Sequence, residues 1–299
     1  MLRIFETVQE LCEALELTTG SVYLLPIHYC IRHEVLNIFP EAKCVVFAYP
    51  EQSPRFWMVI RRNMYTRPHV FMATRSQLMI TDHEIDTFLI KIRPYLLELS
   101  DFYARILGLR LSNRMTSILA GQFDFSSQNY LANYFIIEES KQRQIAKIEV
   151  VLPEGYEFAD LDPERDSEFV TACWKFSTSG DREQFAAKIR RLPSVGIKAN
   201  DGSWASFTVL DAAGYFNNQY TYEKHRQKGL ANMSEIKLCQ KVLNFGLCPL
   251  KFVEHENVIV SARSARSPWW STVVDEAGIP VVHDHRLVRQ RSELPIEEY

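Results

Sequence analysis

The chain has 299 residues, 46% hydrophobic and 24% charged, with 34 basic against 37 acidic side chains and a net charge of −3. That length suits two domains of roughly 150 residues, and the composition is that of folded globular proteins, which excludes long disordered tracts. The charge balance provides no global field for nucleic acid or anionic lipid, and no apolar run approaches the roughly 20 residues of a membrane-spanning helix, so neither partner is expected.

The first turns carry Glu6, Glu10, Glu13 and Glu16 against Arg3. Transit peptides are rich in Arg and poor in acids and signal peptides need an apolar core, so the cytosol is the simplest address. From Phe5 to about Leu17 the patterning predicts a helix, followed by a short strand Val22 to Leu25 and a helix across His28 to Ile38. Three β-rich runs come next, Lys43 to Tyr49, Arg55 to Arg62 and His69 to Arg75, divided by turns at Pro50, Pro54 and Pro68 as in an antiparallel meander. Around Trp57 the alternation of apolar residues predicts a two-sided buried strand flanked by surface arginines rather than a surface for single-stranded nucleic acid. Asp82 to Leu99 has helical spacing, with Thr81 as its cap and Pro94 expected to kink or split it. Asp101 to Phe135 has mixed helical and irregular character, and the polar run Glu138 to Lys147 is the expected domain junction, ahead of a strand Ile148 to Leu152.

In the second half Asp162-Pro163 with Glu164 and Asp166 marks a helix start. A second helix spans Asp181 to Arg191. Strands follow at Val195 to Lys198, Trp204 to Leu210 and Tyr215 to Tyr222, separated by the turns Asn200-Asp201-Gly202 and Ala212-Ala213-Gly214. A helix from about Lys228 to Phe245, a strand Leu250 to Glu254 and a short helix from Asn257 complete the pattern. Hairpin strands followed by one long helix and another strand predict an α+β fold, a mostly antiparallel sheet with a parallel pair around that helix. Six cysteines (Cys12, Cys30, Cys44, Cys173, Cys239, Cys248) lack metal-ligand spacing and read as buried thiols. His283-Asp284-His285 places two imidazoles at alternate positions but offers no third ligand, and reads as a surface turn. Trp269 and Trp270 read as packing anchors.

The informative stretch is Tyr220 to Ala231, YTYEKHRQKGLA, a strand-to-helix loop. Backbone N–H groups at a helix start are unpaired and sit at the positive end of the helix dipole. Gly229 keeps side-chain bulk away from them, and Arg226 and Lys228 add charge, so the loop is built for an anion.

The stretch resembles motif A of the GNAT superfamily, Arg/Gln-x-x-Gly-x-Gly/Ala, through Arg226, Gly229 and Ala231. The run Pro153 to Trp270, with PERD at Pro163, LPSVGI at Leu192, Asp201-Gly202, YTYEKHRQKGL at Tyr220 and Asn257, is similar to the glycine N-acyltransferase-like branch, particularly its nematode members. PIHYCIRHEVLNIFP and RFWMVIRRNM resemble that branch's N-terminal domain. The resemblance implies a C-terminal GNAT fold over 148–299, preceded by a degenerate GNAT-like domain over 1–147. It implies an N-acyltransferase that uses acyl-CoA as co-substrate, needs no metal and acylates a small amine such as glycine or another amino acid; a non-catalytic acyl-CoA binder is the alternative. It also allows a mitochondrial address, for which the N-terminus has no transit signal. Carried over by position, Arg226, Gln227, Lys228, Gly229, Leu230 and Ala231 hold the diphosphate. Thr221 and Tyr222 lie on the strand beside the pantetheine arm, and Asn257 contacts it from the opposite side.

Two positions depart from the pattern. Tyr215 stands where mammalian members carry a Glu thought to be the base, and Ser264 stands where many GNAT enzymes place a Tyr acid seven residues after the Asn. Substitute bases are Glu223, His225, His255 and, first, Glu254, which ends the strand facing the thioester in this fold. Glu254 and Ser264 are therefore the expected catalytic pair.

Overall fold

The computed structural model describes residues 1–291, save the side chains of residues 126–128. The first half runs β1 (Arg3–Phe5), α1 (Val8–Thr18), a 3-10 turn (Val22–Leu24), α2 (Leu25–Val35), β2 (Ala42–Tyr49), β3 (Phe56–Asn63), β4 (His69–Thr74), α3 (Asp82–Leu97), β5 (Asp101–Leu107), α4 (Leu109–Leu119) and β6 (Phe123–Ile136). After α5 (Glu139–Ile145) the second half repeats that order. It runs β7 (Tyr156–Ala159), α6 (Pro163–Ala172), α7 (Asp181–Arg191), β8 (Ser194–Ala199), β9 (Trp204–Leu210), β10 (Tyr215–Thr221), α8 (Leu230–Asn244), β11 (Leu250–Glu254), α9 (Val258–Arg266), β12 (Ser271–Thr272) and β13 (Val282–Gln290).

All these strands belong to one sheet, in the order β1-β2-β3-β4-β5-β13-β6-β11-β10-β9-β8-β7, with β12 beside β6. Its parallel pairs are β4–β5 and β10–β11. The halves exchange strands at the centre. From the second half β13 pairs with β5 from His283–Leu107 to Arg289–Asp101, and from the first half β6 pairs with β11 from Ile136–Leu250 to Ala132–Glu254. The main core crosses the same boundary, joining Tyr29, Trp57 and Phe71 to Leu210, Tyr215 and Leu238. Each such side chain contributes about 1.5–3 kcal/mol by leaving water, so the apolar joint is strong. At the β9–β10 turn the fit is close: a Cβ on Gly214 would lie 2.1 Å from the ring of Tyr29.

Several expected elements differ. Val22 to Leu25 is a 3-10 turn running into α2, because Pro26 at the second helical position suits a helix start. Pro94 neither ends nor splits α3, which continues to Leu97 around buried Phe88, Ile92 and Leu96; packing outweighs the lost N–H. Residues 148–152 are not a strand, and the first strand of the second half is β7. Arg61 is buried rather than a surface residue, and so are His283 and Asp284, which lie in the central strand β13 and not in a turn. The cysteines are free thiols, but Cys12 is exposed, on the outer side of α1.

Candidate active site

β10 and β11 pair only at Tyr215–Leu250 and Phe216–Lys251. From Asn217 to Thr221 the two strands part, and backbone groups on that side of β10 have no ladder partner in β11. On its other edge β10 shifts register against β9 between Asn217 and Tyr220, with Asn218 at φ 42°. Such a bulge bends the strand, and the Asn218 amide pins it by donating to the Val170 carbonyl at 2.6 Å.

The gap leads to the start of α8. Gly229, in the left-handed region at φ 79°, is its N-cap, with no side-chain cap and no acid in the first turn. Asn232 and Met233 both donate to the Gly229 carbonyl, at 3.0 and 3.1 Å, which leaves the N–H groups of Leu230 and Ala231 without backbone acceptors among the described residues. Arg226, Gln227, Lys228 and Gly229 are exposed, Ala231 is half-buried and Leu230 is buried. Arg226 Nε donates to the Thr221 carbonyl at 3.1 Å, and Lys228 Nζ lies 2.7 Å from the Tyr156 hydroxyl, so both cations are held beside the loop. The Thr221 hydroxyl bonds Ser206 at 2.8 Å and the Tyr222 hydroxyl meets Cys173 at 3.8 Å. The Thr221 hydroxyl thus ties β10 to β9, and the Tyr222 hydroxyl meets the end of α6.

The matching place in the first half is filled. β4 and β5 pair over four residues, His69–Tyr103 to Met72–Ile106. The start of α3 is closed by Thr81 and Glu84: the Thr81 N–H donates to the Glu84 carboxylate at 2.8 Å, the Glu84 N–H donates to the Thr81 hydroxyl at 3.3 Å, and Asp82 adds a second acid. Carboxylates at a helix start take the place of an anion and repel another.

Beyond the gap lies a cavity of about 450 Å³ lined by Asn217, Gln219, Phe252, Glu254 and Asn257. It shares Arg105, Tyr130, Asn217 and His285 with a second cavity of about 390 Å³ that runs past His69 and Lys188. The cleft thus draws walls from both halves. In its floor Asp211 bonds Arg61 at 3.0 Å and Lys188 at 2.8 Å. Burial alone would raise the Asp211 carboxyl, but Arg61 and Lys188 outweigh it and hold the group well below the usual range. Burial, then Arg61 and Arg105, keep the His69 imidazole well below its ordinary value, and burial with Arg105 does the same for His283.

Of the expected residues, Glu254 and Asn257 reach the cavity. Glu254 closes β11 and pairs with Lys175; Asn257 caps α9 by accepting from the Val260 N–H at 3.4 Å. The structure does not bring Ser264 there: it faces inward from α9, 2% exposed, its hydroxyl without a partner. Glu223 lies in the exposed loop, His225 is buried against Tyr156, and His255 bonds Asn133 at 3.1 Å. Tyr215 is buried, and burial pushes its hydroxyl far above its ordinary value. Trp270 is an anchor, donating to Glu235, which also pairs with Lys251 at 2.8 Å. No group of three His, Cys, Asp or Glu placed to hold a metal occurs among the described residues. Sequence reasoning missed Arg105, Tyr130 and Asn217. A lone Arg in the apolar alternation of residues 102–107 was the available signal for the first.

No protein-family model and no curated protein matches the sequence. Solved structures do. The X-ray structure of a Drosophila protein superposes with a TM-score of 0.71 at 14% identity, covering 97% of this chain and 98% of that one. A tandem GNAT protein from the clavulanic acid biosynthesis pathway follows the chain over 98% of its length and 100% of its own, with a TM-score of 0.53 and 10% identity. The fold is a tandem GNAT fold. A GCN5-related N-acetyltransferase from Kribbella flavida, 14% identical with a TM-score of 0.53, covers 92% of this chain and 98% of its own. In the GNAT fold described above, the parted β10–β11 pair and the uncapped α8 belong to the second copy, whereas the first copy has a closed pair and a capped helix.

One consequence concerns the α8 start. If this helix start holds the diphosphate of CoA, Gly229→Val weakens CoA binding about 100-fold, as two charge-assisted hydrogen bonds are lost at about 1.5 kcal/mol each. It should also lower Tm by a few degrees, because a left-handed β-branched residue costs roughly 1–2 kcal/mol or more. Room is not the obstacle inside the protein, since a Cβ there would meet only Met233, at 3.5 Å. Calorimetric titration with CoA checks this; unchanged affinity would remove the phosphate loop from the argument.

Proposed function

We propose that the chain is an acyl-CoA-dependent N-acyltransferase that acylates a small amine such as glycine or another amino acid. One observation carries the reading: an uncapped helix start opens through a parted parallel pair into a cavity continuous with a second, polar one. Diphosphate, thioester and acceptor each have a place along that path. The sequence resemblance supports the acceptor class.

In this reading residues 1–147 and 148–299 are two units with different tasks, the second gripping acyl-CoA and the first walling the acceptor's side of the cleft. The amine nitrogen attacks the thioester carbon and passes a proton to Glu254, whose ion pair with the exposed Lys175 a substrate amine can replace. Backbone N–H groups at the β10 bulge face the developing oxyanion. The C–S bond then breaks and CoA leaves as the thiolate, which takes a proton from solvent, while Glu254 gives up the amine's proton to solvent for the next cycle. Ser264 has no part in this scheme. The second reading, a binder without turnover, is favoured by Tyr215, whose buried hydroxyl has no partner.

A free-thiol assay with acetyl-CoA and a panel of amino acids tests the proposal. Thiol release that requires both substrates is the expected result. Stabilisation by CoA at saturation, about 2.7 kcal/mol at a hundred times Kd, with no thiol release on any acceptor, would favour the binder.

A further inference from the structure

We infer that Arg105, on the first half's strand β5, seats an acid group of the amine acceptor, so that the acceptor is an amine bearing a carboxylate or a sulfonate. This rests on the N-acyltransferase reading above.

The guanidinium stands where the two cavities meet. The other cations around it are paired: Arg61 and Lys188 with Asp211, Lys251 with Glu235, Lys175 with Glu254. Arg105 has no ion pair among the described residues, and its Nε is buried without an acceptor. Its neighbours supply no negative charge. Across the sheet it is flanked by Phe71 of β4 and His285 of β13, and it lies 5.9 Å over the ring of Tyr215. A partly buried cation without a counter-ion is unfavourable unless a ligand completes it. The planar fork of Arg matches the two oxygens of an acid group and presents them with two parallel donors.

Position assigns that acid to the acceptor rather than to the acyl chain. The thioester enters between β10 and β11, whereas β5 is separated from β11 by β13 and β6, and its Arg105 lines both cavities. The second cavity, which Arg105 shares, is lined by Thr66, Gln184 and Lys188, groups suited to a polar acceptor. An acid held there, with its amine a carbon or two away, keeps the nitrogen at the junction that Asn217 also lines. The first half has lost the anion site of its own helix start. On this inference it has kept an anion site of another kind in its sheet.

The test reads binding, without turnover. Glycine, phenylalanine and taurine, and the partners without an acid group, glycinamide, phenylalaninamide and ethylamine, are titrated into the wild-type protein with and without saturating CoA. At least one acid is expected to bind about 10-fold tighter than its partner. Arg105→Gln should erase that preference while leaving CoA affinity unchanged, and Arg105→Lys should restore part of it. Equal binding of the acids and of the partners without an acid group by the wild type overturns the inference and needs no variant to fold. So does a preference that survives in Arg105→Gln. If Arg105→Gln instead weakens succinyl-CoA against butyryl-CoA, the acid belongs to the acyl group and the inference fails. Loss of the acyl-CoA reading appears separately, as no CoA binding by the wild type.

Discussion

Asp211→Ala is expected to destabilise the protein by about 3–5 kcal/mol, a large share of the stability of an ordinary fold. The Asp211 carboxylate is 2% exposed and lies between Arg61 of the first half, also 2%, and Lys188 of the second, 4%. It also accepts from the Ala213 N–H at 2.9 Å, fixing the β9–β10 turn. Removing it leaves two buried cations facing each other without compensation. Taking away the charge of all three residues together is a different change. In Arg61→Met/Asp211→Leu/Lys188→Met no buried charge is left unpaired, and buried ionic clusters replaced by apolar groups of similar volume commonly lose little. The triple variant should therefore be more stable than Asp211→Ala alone. Urea unfolding measures both, read from the midpoint at unchanged slope. A loss below about 1 kcal/mol in Asp211→Ala would mean that water reaches the cluster. The cluster also reaches the cleft, because Lys188 Nζ lies 3.2 Å from the Asn217 side chain, beside the β10 bulge.

What could be read from the sequence divides along the range of the interactions. The α8 start was legible because its chemistry is local: Arg226, Gly229 and Ala231 lie within six residues, although the left-handed backbone of Gly229 was not foreseen. The meander and the paired helices of the second half were legible for the same reason, through caps such as Asp162 and turns such as Ala212-Ala213-Gly214. The cleft was not. Arg105, Tyr130, Asn217 and His285 are far apart in the chain, and only the strand exchange makes them neighbours. No local pattern says that β13 leaves its own half to lie between β5 and β6. For that reason His283-Asp284-His285, read alone, looked like a surface turn. Tyr215 shows the opposite error. It was correctly placed on the strand, but its burial beneath the cleft depends on Arg105 and Phe252, which sequence proximity does not reveal.

As pH falls from about 6 toward 5 the protein is expected to lose stability at a rate approaching about 1.4 kcal/mol per pH unit for each of His33, His69 and His283, three of its buried histidines. Burial lowers the His33 imidazole to about 4, against the opposing effect of its hydrogen bond to the Ala212 carbonyl. His69 and His283 are held well below their ordinary value by burial and then by the arginines beside them. In the unfolded chain all three take up a proton as pH falls through about 6.5, whereas the folded protein does not. Their contribution is therefore complete above pH 6.5 and is drained as pH falls from there toward the folded values. Carboxylates begin to act only near pH 4, so this loss comes first. Urea midpoints at pH 7.5, 6.5, 5.5 and 5.0 measure it; His285, held low by burial in the same way, adds to the slope, so His69→Gln should remove about a quarter of it. A flat profile down to pH 5 would show that the imidazoles are protonated in the folded state. The slope also reports on the cleft, because Arg105 is one of the charges that keep His69 and His283 neutral. An anion seated on that guanidinium offsets its field and moves the folded imidazoles part of the way back toward their ordinary value, with burial still opposing, so the acid loss becomes somewhat shallower. A slope that lessens with an acid-bearing acceptor but not with its amide would place the ligand's negative charge beside these residues by a measurement independent of affinity.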